Sequence, residues 1–182
     1  GGLAVALSKQ PQHERSWEIG ARGEETIARS LERRCGESVG WLFDRRIPGR
    51  GTNIDLIAFA PSGVWVIDAK DYTGKVRVTN PLFGKPKLLI RGRDKTGLID
   101  GLERQVKAVR EATQLIDPAI EVHGALCFHG RTELPLLRTL RFRGYPLFYP
   151  RRLAAHLRKS GPFTRVQLEE LRARVAAKVP EA

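Results

Sequence analysis

The chain has 182 residues, of which 41% are hydrophobic and 29% are charged. This composition excludes wholesale disorder and predicts a single folded domain over residues 15–182, behind a flexible N-terminal arm over residues 1–14. The formal net charge of +12 favours an acidic partner, nucleic acid first of all. No apolar run approaches the roughly 20 residues that a membrane-spanning helix needs, so we expect no membrane partner.

The two cysteines, Cys35 and Cys127, are too few for a disulfide framework or a cysteine-rich zinc site. Both have apolar neighbours, which predicts reduced, buried thiols in a cytoplasmic protein. The four histidines show no metal-ligand spacing and are predicted to be structural or surface residues.

The first half of the chain predicts one helix and three strands. A stripe of apolar residues at helical spacing predicts a helix over residues 16–35, with Ser16 as its cap. Strands are predicted over 40–47, 53–59 and 64–70, and the turn residues 61–63 join the last two in a hairpin. Both hairpin strands are apolar on both faces for much of their length, which is typical of central strands covered on two sides.

The second half begins with short strand candidates at 76–78 and 88–90 in a basic stretch rich in Gly and Pro. A helix over 98–116 and a buried strand over Val122–Phe128 follow. Weaker strands and two closing helices complete the prediction, at Leu140–Phe142, 147–149, 153–157 and 166–179, the last capped by Thr164. This order predicts an α/β domain with a central mixed β-sheet flanked by helices.

Three polar residues occupy the predicted hairpin where its pattern calls for apolar ones. A carboxylate at Asp55 is costly in a buried strand unless it is paired or binds a cation. The alternative is that Asp55 lies at the solvent-exposed end of the strand, near residues 49–51. Asp68 and Lys70 point to one face because a strand has period two, so all three side chains can converge. A divalent ion would relieve the repulsion between two close carboxylates, and oxygen ligands favour Mg²⁺ or Mn²⁺. The alternative is a surface ion pair between Asp68 and Lys70.

Glu24 is a fourth unexpected polar residue, because it lies in the middle of the apolar stripe of the first predicted helix. A metal site or a basic partner would explain an acid on that face. A boundary glutamate paired with an arginine is the alternative. Gly20 and Gly23 would let this helix approach the sheet closely.

Three segments, Gly23-Glu24, Asn53-Ile54-Asp55 and residues 61–76, carry a resemblance to a known family. The last segment joins a turn, an Asp-x-Lys motif and an aromatic-x-Gly motif. The chain resembles the nuclease-related domain (NERD) family of the PD-(D/E)xK nuclease superfamily over about residues 16–78. The resemblance implies a restriction-endonuclease-like core and a metal-dependent nuclease that hydrolyses phosphodiester bonds of DNA.

By that resemblance, the catalytic residues are Glu24, Asp55, Asp68, Lys70 and Gln105. The metal ligands would be Asp55, Asp68, Glu24 and the carbonyl of Ala69, with Mg²⁺ or Mn²⁺ as the ion. Lys70 would be the catalytic lysine, and Gln105 would be the glutamine that the superfamily often places on a later helix. A polar residue on the flank of helix 98–116 is the alternative for Gln105. Leu56 stands where the family often has His, and Asp68 where it usually has Glu.

Basic residues before the Asp55 strand and after the Lys70 strand are candidates for phosphate binding, namely Arg45, Arg46, Arg50, Lys75, Arg91 and Arg93. We expect DNA as the partner, with RNA as a further candidate and a homodimer as an expected assembly, because many superfamily members act as dimers. Two other functions compete with the nuclease. One is a nucleic-acid-binding module without turnover, and the other is a protein-interaction domain whose acids form structural ion pairs.

Overall fold

The structure is a computed structural model that describes residues 22–51 and 53–182. The predicted arm over residues 1–14, the predicted start of the first helix and Thr52 lie outside the described residues. Within the described ranges the chain forms four α-helices, α1 Arg22–Cys35, α2 Gly97–Gln114, α3 Pro150–Leu157 and α4 Arg165–Lys178. A short 3₁₀ turn, Gly36–Ser38, follows α1.

Ten strands lie between and around these helices. They are β1 Gly40–Arg46, β2 Asn53–Ala60, β3 Gly63–Lys70, β4 Gly74–Thr79, β5 Lys87–Ile90, β6 Arg93–Asp94, β7 Val122–Phe128, β8 Thr132–Glu133, β9 Leu140–Phe142 and β10 Tyr145–Phe148. The main sheet has six strands in the order β1-β2-β3-β7-β10-β9, and a smaller sheet has the order β6-β5-β4-β8.

The main sheet is mixed, as the sequence predicts. β3 and β7 are parallel, as are β7 and β10, whereas β1-β2, β2-β3 and β9-β10 are antiparallel. The β3-to-β7 crossover passes through α2, the helical connection that a parallel pair requires. β3 is thereby a central strand, and both of its faces are covered.

Two apolar cores fill the two faces of the main sheet. Val64 and Val66 of β3 belong to the core that includes α2 and α4, whereas Ile67 and Ala69 belong to the core that includes α1 and α3. The alternation of β3 therefore turns Asp68 and Lys70 toward the face that α2 covers.

The predicted helices and strands within the described residues are confirmed, with small shifts at their ends. The helix predicted over 98–116 spans Gly97–Gln114, and the strand predicted over 147–149 spans Tyr145–Phe148. The two short strands at 76–78 and 88–90 are longer than predicted and pair in the second sheet, with β6 and β8 at its edges. No helix in the described part of the chain is both long and apolar enough to cross a bilayer.

Candidate active site

The β2-β3 hairpin brings Asp55 and Asp68 face to face. Its register pairs Leu56 with Ile67. One position further from the turn, Asp55 and Asp68 therefore lie opposite each other. Gly63 in the connecting turn has φ +136° and lies against the carbonyl of Glu121, a position where a Cβ would be strained and crowded. The backbone N–H of Ala69 donates to Asp55 Oδ2 at 3.2 Å, which fixes the carboxyl of Asp55 against β3.

The carboxyls of Asp55 and Asp68 lie opposite each other across the hairpin. Burial raises the pKa of Asp55 well above its ordinary value, and the neighbouring Asp68 raises it further. The attraction of Lys70 opposes this rise without cancelling it. The ionised form of Asp55 is therefore disfavoured in the fold without a metal.

Lys70 completes the cluster on the same face of β3. Its Nζ lies 3.0 Å from Asp68 Oδ1, and the Asp68 side chain is only 4% exposed against 22% for Lys70. Burial lowers the pKa of the Lys70 ammonium, but the charges of Asp68, Asp55 and Glu24 outweigh burial and raise it overall. Lys70 thus remains a cation with one side open to solvent.

Glu24 reaches this cluster from the first turn of α1. Partial burial raises the pKa of its carboxyl, Lys70 lowers it, and the charges of Asp68 and Asp71 raise it again. Glu24 is therefore within electrostatic range of both ends of the Asp68–Lys70 pair. The preceding residue, Gly23, touches Asp71 so closely that a Cβ at position 23 would lie 2.2 Å from Asp71 Cγ.

Gln105 faces the same side of the sheet from α2. Its neighbour Val106 packs against Gly124 of β7, and Gly124 pairs with Val66, two residues before Asp68. The Gln105 side chain is buried, and its Oε1 has no hydrogen-bond partner. A buried amide oxygen without a partner is costly, and such an atom is available to a ligand.

The nuclease-related domain family model matches residues 19–129, more than half of the chain. The chain belongs to this family. The matched segment contains all five predicted catalytic residues, and the mixed sheet with helices on both faces agrees with a nuclease-like core. No curated protein and no solved structure matches the chain.

The family implies a divalent metal, and the donor set of this nuclease-related domain fits one in part. Among the described residues, no group of three or more His, Cys, Asp or Glu side chains is placed to hold an ion. Two carboxyls that face each other across the hairpin nevertheless present oxygen atoms that suit a hard cation. The N–H of Ala69 points to the β2 side, and in an extended strand the C=O of the same residue points the same way. Asp55, Asp68 and the Ala69 carbonyl therefore occupy neighbouring positions of the hairpin, and the Glu24 carboxyl is within electrostatic range of Asp68.

The predicted phosphate-binding residues lie in different places. Arg45 lies against the C-terminal segment. Its Nη2 is 3.8 Å from Glu181 Oε1, and the Arg45 side chain is 14% exposed. Burial lowers the pKa of Arg45, and the charge of Glu181 partly restores it. Arg46 and Arg50 are exposed around the β1-β2 connection, whereas the others, Lys75, Arg91 and Arg93, are exposed on the second sheet and its turns.

Asp71 is a residue near the cluster that the sequence did not single out. Its carboxylate accepts hydrogen bonds from Arg131 Nη2 at 3.3 and 3.2 Å, and His129 Nδ1 lies 4.0 Å away. Asp71 also lines a cavity of about 320 Å³ together with Arg91 and Arg93. The signal in the sequence was the acid directly after Lys70, but its partner is 60 residues away and no local pattern connects the two.

Proposed function

We propose that this nuclease-related domain is a metal-dependent nuclease that hydrolyses phosphodiester bonds of DNA. The observation that carries the proposal is the convergence of Asp55, Asp68 and Lys70 on one face of the hairpin, with the carboxyl of Glu24 within electrostatic range. A buried pair of facing acids beside a lysine is a costly arrangement for a fold to maintain, and such perturbed groups cluster at functional sites.

Each residue has a role that follows from its position. Asp55, Asp68 and the Ala69 carbonyl would hold Mg²⁺ or Mn²⁺, with Glu24 completing or supporting the site. When bound, the ion supplies positive charge for the scissile phosphate and a water of lowered pKa. Lys70, which stays protonated and partly exposed, stabilises the negative charge that develops on the phosphate and orients the attacking water. The Gln105 amide, with its unpaired oxygen, would orient a group in the same place.

The test is cleavage of plasmid and linear DNA with Mg²⁺ or Mn²⁺ by the wild type, Asp68→Ala and Lys70→Ala. Loss of one charge-stabilising group lowers the rate by about 10²–10³-fold. Glu111→Gln is a matched control, because Glu111 is an exposed acid on α2 outside the cluster and its substitution also removes one negative charge. Equal cleavage by the wild type and Asp68→Ala would identify the activity as contamination.

A nucleic-acid-binding module without turnover is the second candidate. It is favoured by one observation, that no three metal-binding side chains among the described residues meet around one point. This alternative predicts strongly salt-dependent binding that survives chelation of the metal and loss of Lys70. Binding without cleavage under any divalent ion would therefore support it against the nuclease.

RNA as a second substrate, a homodimer and a cytoplasmic location stay predictions. Cleavage assays with RNA of the same sequence test the first, and light scattering of the purified chain tests the second. The two cysteines are free and buried, as predicted, which suits a reducing compartment. Fractionation of cells that produce the protein tests the location.

A further inference from the structure

A basic cleft of about 550 Å³ lies between β4 and the segment that leads into β9. Four cations line it: Lys75 and Arg77 from β4, Arg138 from the loop, and Arg141 from β9. No acid lines the cleft, and no ion pair joins any of the four to an acid within residues 22–51 and 53–182. Of these guanidinium groups, that of Arg141 has a polar contact within the described residues, because its Nη1 donates to the Gly144 carbonyl at 3.0 Å.

Several arginines elsewhere on the surface are paired with acids. Arg143 lies 2.6 Å from Asp100, Arg131 lies 3.2 Å from Asp71, and Arg165 lies 3.2 Å from Glu37. Like charges around one cleft repel one another and disfavour the folded state unless an anion occupies it. The chain therefore gathers four cations that have no acid partner among the described residues around one cleft, outside the Asp55–Asp68–Lys70 cluster.

An aromatic cleft of about 490 Å³ adjoins the basic cleft, since Arg141 lines both. Four partly exposed rings line it, namely Trp65, His123, Tyr145 and His156. The rings of Trp65 and His123 lie 4.7 Å apart, and Glu121, the acid in this lining, lies 3.5 Å from His123 Nε2. The flat faces of such rings are the surfaces on which unpaired bases stack.

The basic cleft is also connected to the candidate active site. The N–H of Arg91 donates to the carbonyl of Lys75 at 3.0 Å, and Arg91 lines the cavity that contains Asp71. Asp71 touches Gly23, the residue before Glu24. Basic side chains therefore extend from the neighbourhood of the acid cluster, past Arg91, into the basic cleft and up to the aromatic cleft.

We propose that the basic and aromatic clefts together form a tract that binds a single-stranded nucleic acid. The four cations contact its phosphates, and the rings of the aromatic cleft stack on its bases. A duplex keeps its bases paired and stacked inside, so it cannot offer them to rings recessed in a cleft. The tract rests on the proposed nuclease function and deepens it. It holds the substrate strand on one side of the scissile phosphate.

The first test is binding of a fluorescent oligodeoxythymidine of about 20 nucleotides, with EDTA present, between about 50 and 200 mM salt. The tract variant is Lys75→Ala/Arg77→Ala/Arg138→Ala, whose three side chains are exposed, so the fold is expected to survive. Each lost phosphate contact reduces the salt slope for a single strand by about 0.7, so three reduce it by about 2. Over that salt range, the variant therefore loses about 20-fold less affinity than the wild type does.

The matched control is Arg33→Ala/Arg34→Ala/Arg151→Ala, which removes the same charge from exposed positions on α1 and α3. Its salt slope is expected to equal that of the wild type. Equal slopes for the tract variant and this control would overturn the proposal, because the effect would then reflect net charge alone.

The second test uses Trp65 as a reporter of the aromatic cleft. Binding of the oligonucleotide is expected to quench part of the tryptophan fluorescence, and Trp65→Phe is expected to lose that part while still binding. An unlabelled duplex of equal length is expected to compete at least tenfold more weakly than the single strand. Equal competition by the duplex, or quenching that persists in Trp65→Phe, would overturn the tract.

These tests separate failure of the tract from failure of the nuclease. Binding in EDTA needs no turnover, so it tests the tract independently of cleavage. Tract-dependent binding without cleavage would leave the tract standing and overturn the nuclease. Cleavage that depends on Asp68, with normal binding by the tract variant, would support the nuclease and overturn the tract.

Discussion

Replacing Asp55 by asparagine is predicted to stabilise the metal-free protein at neutral pH. Asp55 is held against β3 by the N–H of Ala69, and its raised pKa predicts that it shares a proton with Asp68. The amide of asparagine can accept from Ala69 and donate to Asp68 as the protonated acid does. The Asp55→Asn variant therefore keeps both hydrogen bonds without requiring a proton from solvent.

The sign of the effect follows from the raised pKa of Asp55. An unfolded aspartate ionises near pH 3.9, whereas folded Asp55 holds its proton to a higher pH because burial and Asp68 raise its pKa. Between these two pKa values the native state binds about one more proton than the unfolded state. The free energy of unfolding therefore falls by about 1.4 kcal/mol per pH unit across that window, and the variant escapes this loss.

The assay is thermal unfolding of the wild type and Asp55→Asn in EDTA, as a function of pH. For a chain of this length, about 1 kcal/mol corresponds to about 2–4 °C in Tm. The Tm of the variant minus that of the wild type is thus expected to grow by about 3–6 °C per pH unit above pH 4, up to the pKa of Asp55 in the folded chain.

Manganese provides the control for this prediction. Free Mn²⁺ at a concentration of 100 times its Kd for the folded wild type adds about 2.7 kcal/mol to the free energy of unfolding. The variant, which lacks one carboxylate, is expected to gain less. A difference in Tm that stays constant with pH, or a variant that is less stable at every pH, would refute the shared-proton interpretation.

Three further predictions concern the rest of the fold. Gly161→Ala is expected to lower the free energy of unfolding by about 1–3 kcal/mol in urea titrations, because a Cβ there would lie 2.1 Å from the Pro61 carbonyl oxygen; Gly130→Ala, which meets nothing within 4 Å, is the neutral control. Thr164→Ala is expected to cost about 1 kcal/mol by the same measurement, because Thr164 and Gln167 form a reciprocal capping box at the start of α4, and Thr164→Ser is expected to restore most of it. Neither thiol is expected to react with Ellman's reagent in the folded protein near pH 8, because burial raises the pKa of Cys35 to about 11 and that of Cys127 further; rapid reaction without denaturant would contradict the buried positions of both.

The hairpin was the part of the site that the sequence predicted most directly. Period-two alternation and a Pro-Ser-Gly turn are local signals, and together they determine that Asp55 meets Asp68 and that Lys70 shares a face with Asp68. Glu24 was equally predictable from the sequence, because an acid in an apolar helical stripe stands out. The closeness of this part of α1 to Asp71 could not be predicted, since it depends on how α1 packs on the sheet.

Long-range pairing accounts for what sequence reasoning missed. The second sheet joins β4 to β8 across more than 50 residues, and this pairing brings Arg131 to Asp71. Arg45 was singled out for its charge, but the acid that lies beside it, Glu181, is more than a hundred positions away. Composition and spacing identify such charged residues, but only the tertiary fold decides which acid, if any, neutralises them.

The segment after residue 129 lies beyond the family match but belongs to the same folded body. β10 extends the main sheet beside β7, Leu153 and Leu157 of α3 join the core of α1, and the Arg46 N–H donates to the Pro180 carbonyl at 2.8 Å. A fragment cut at the limits of the match would leave β7 as a bare edge strand and open both cores to water. Dissection or grafting of this domain should therefore keep everything through Pro180, because the boundary of family likeness falls inside a single folded structure.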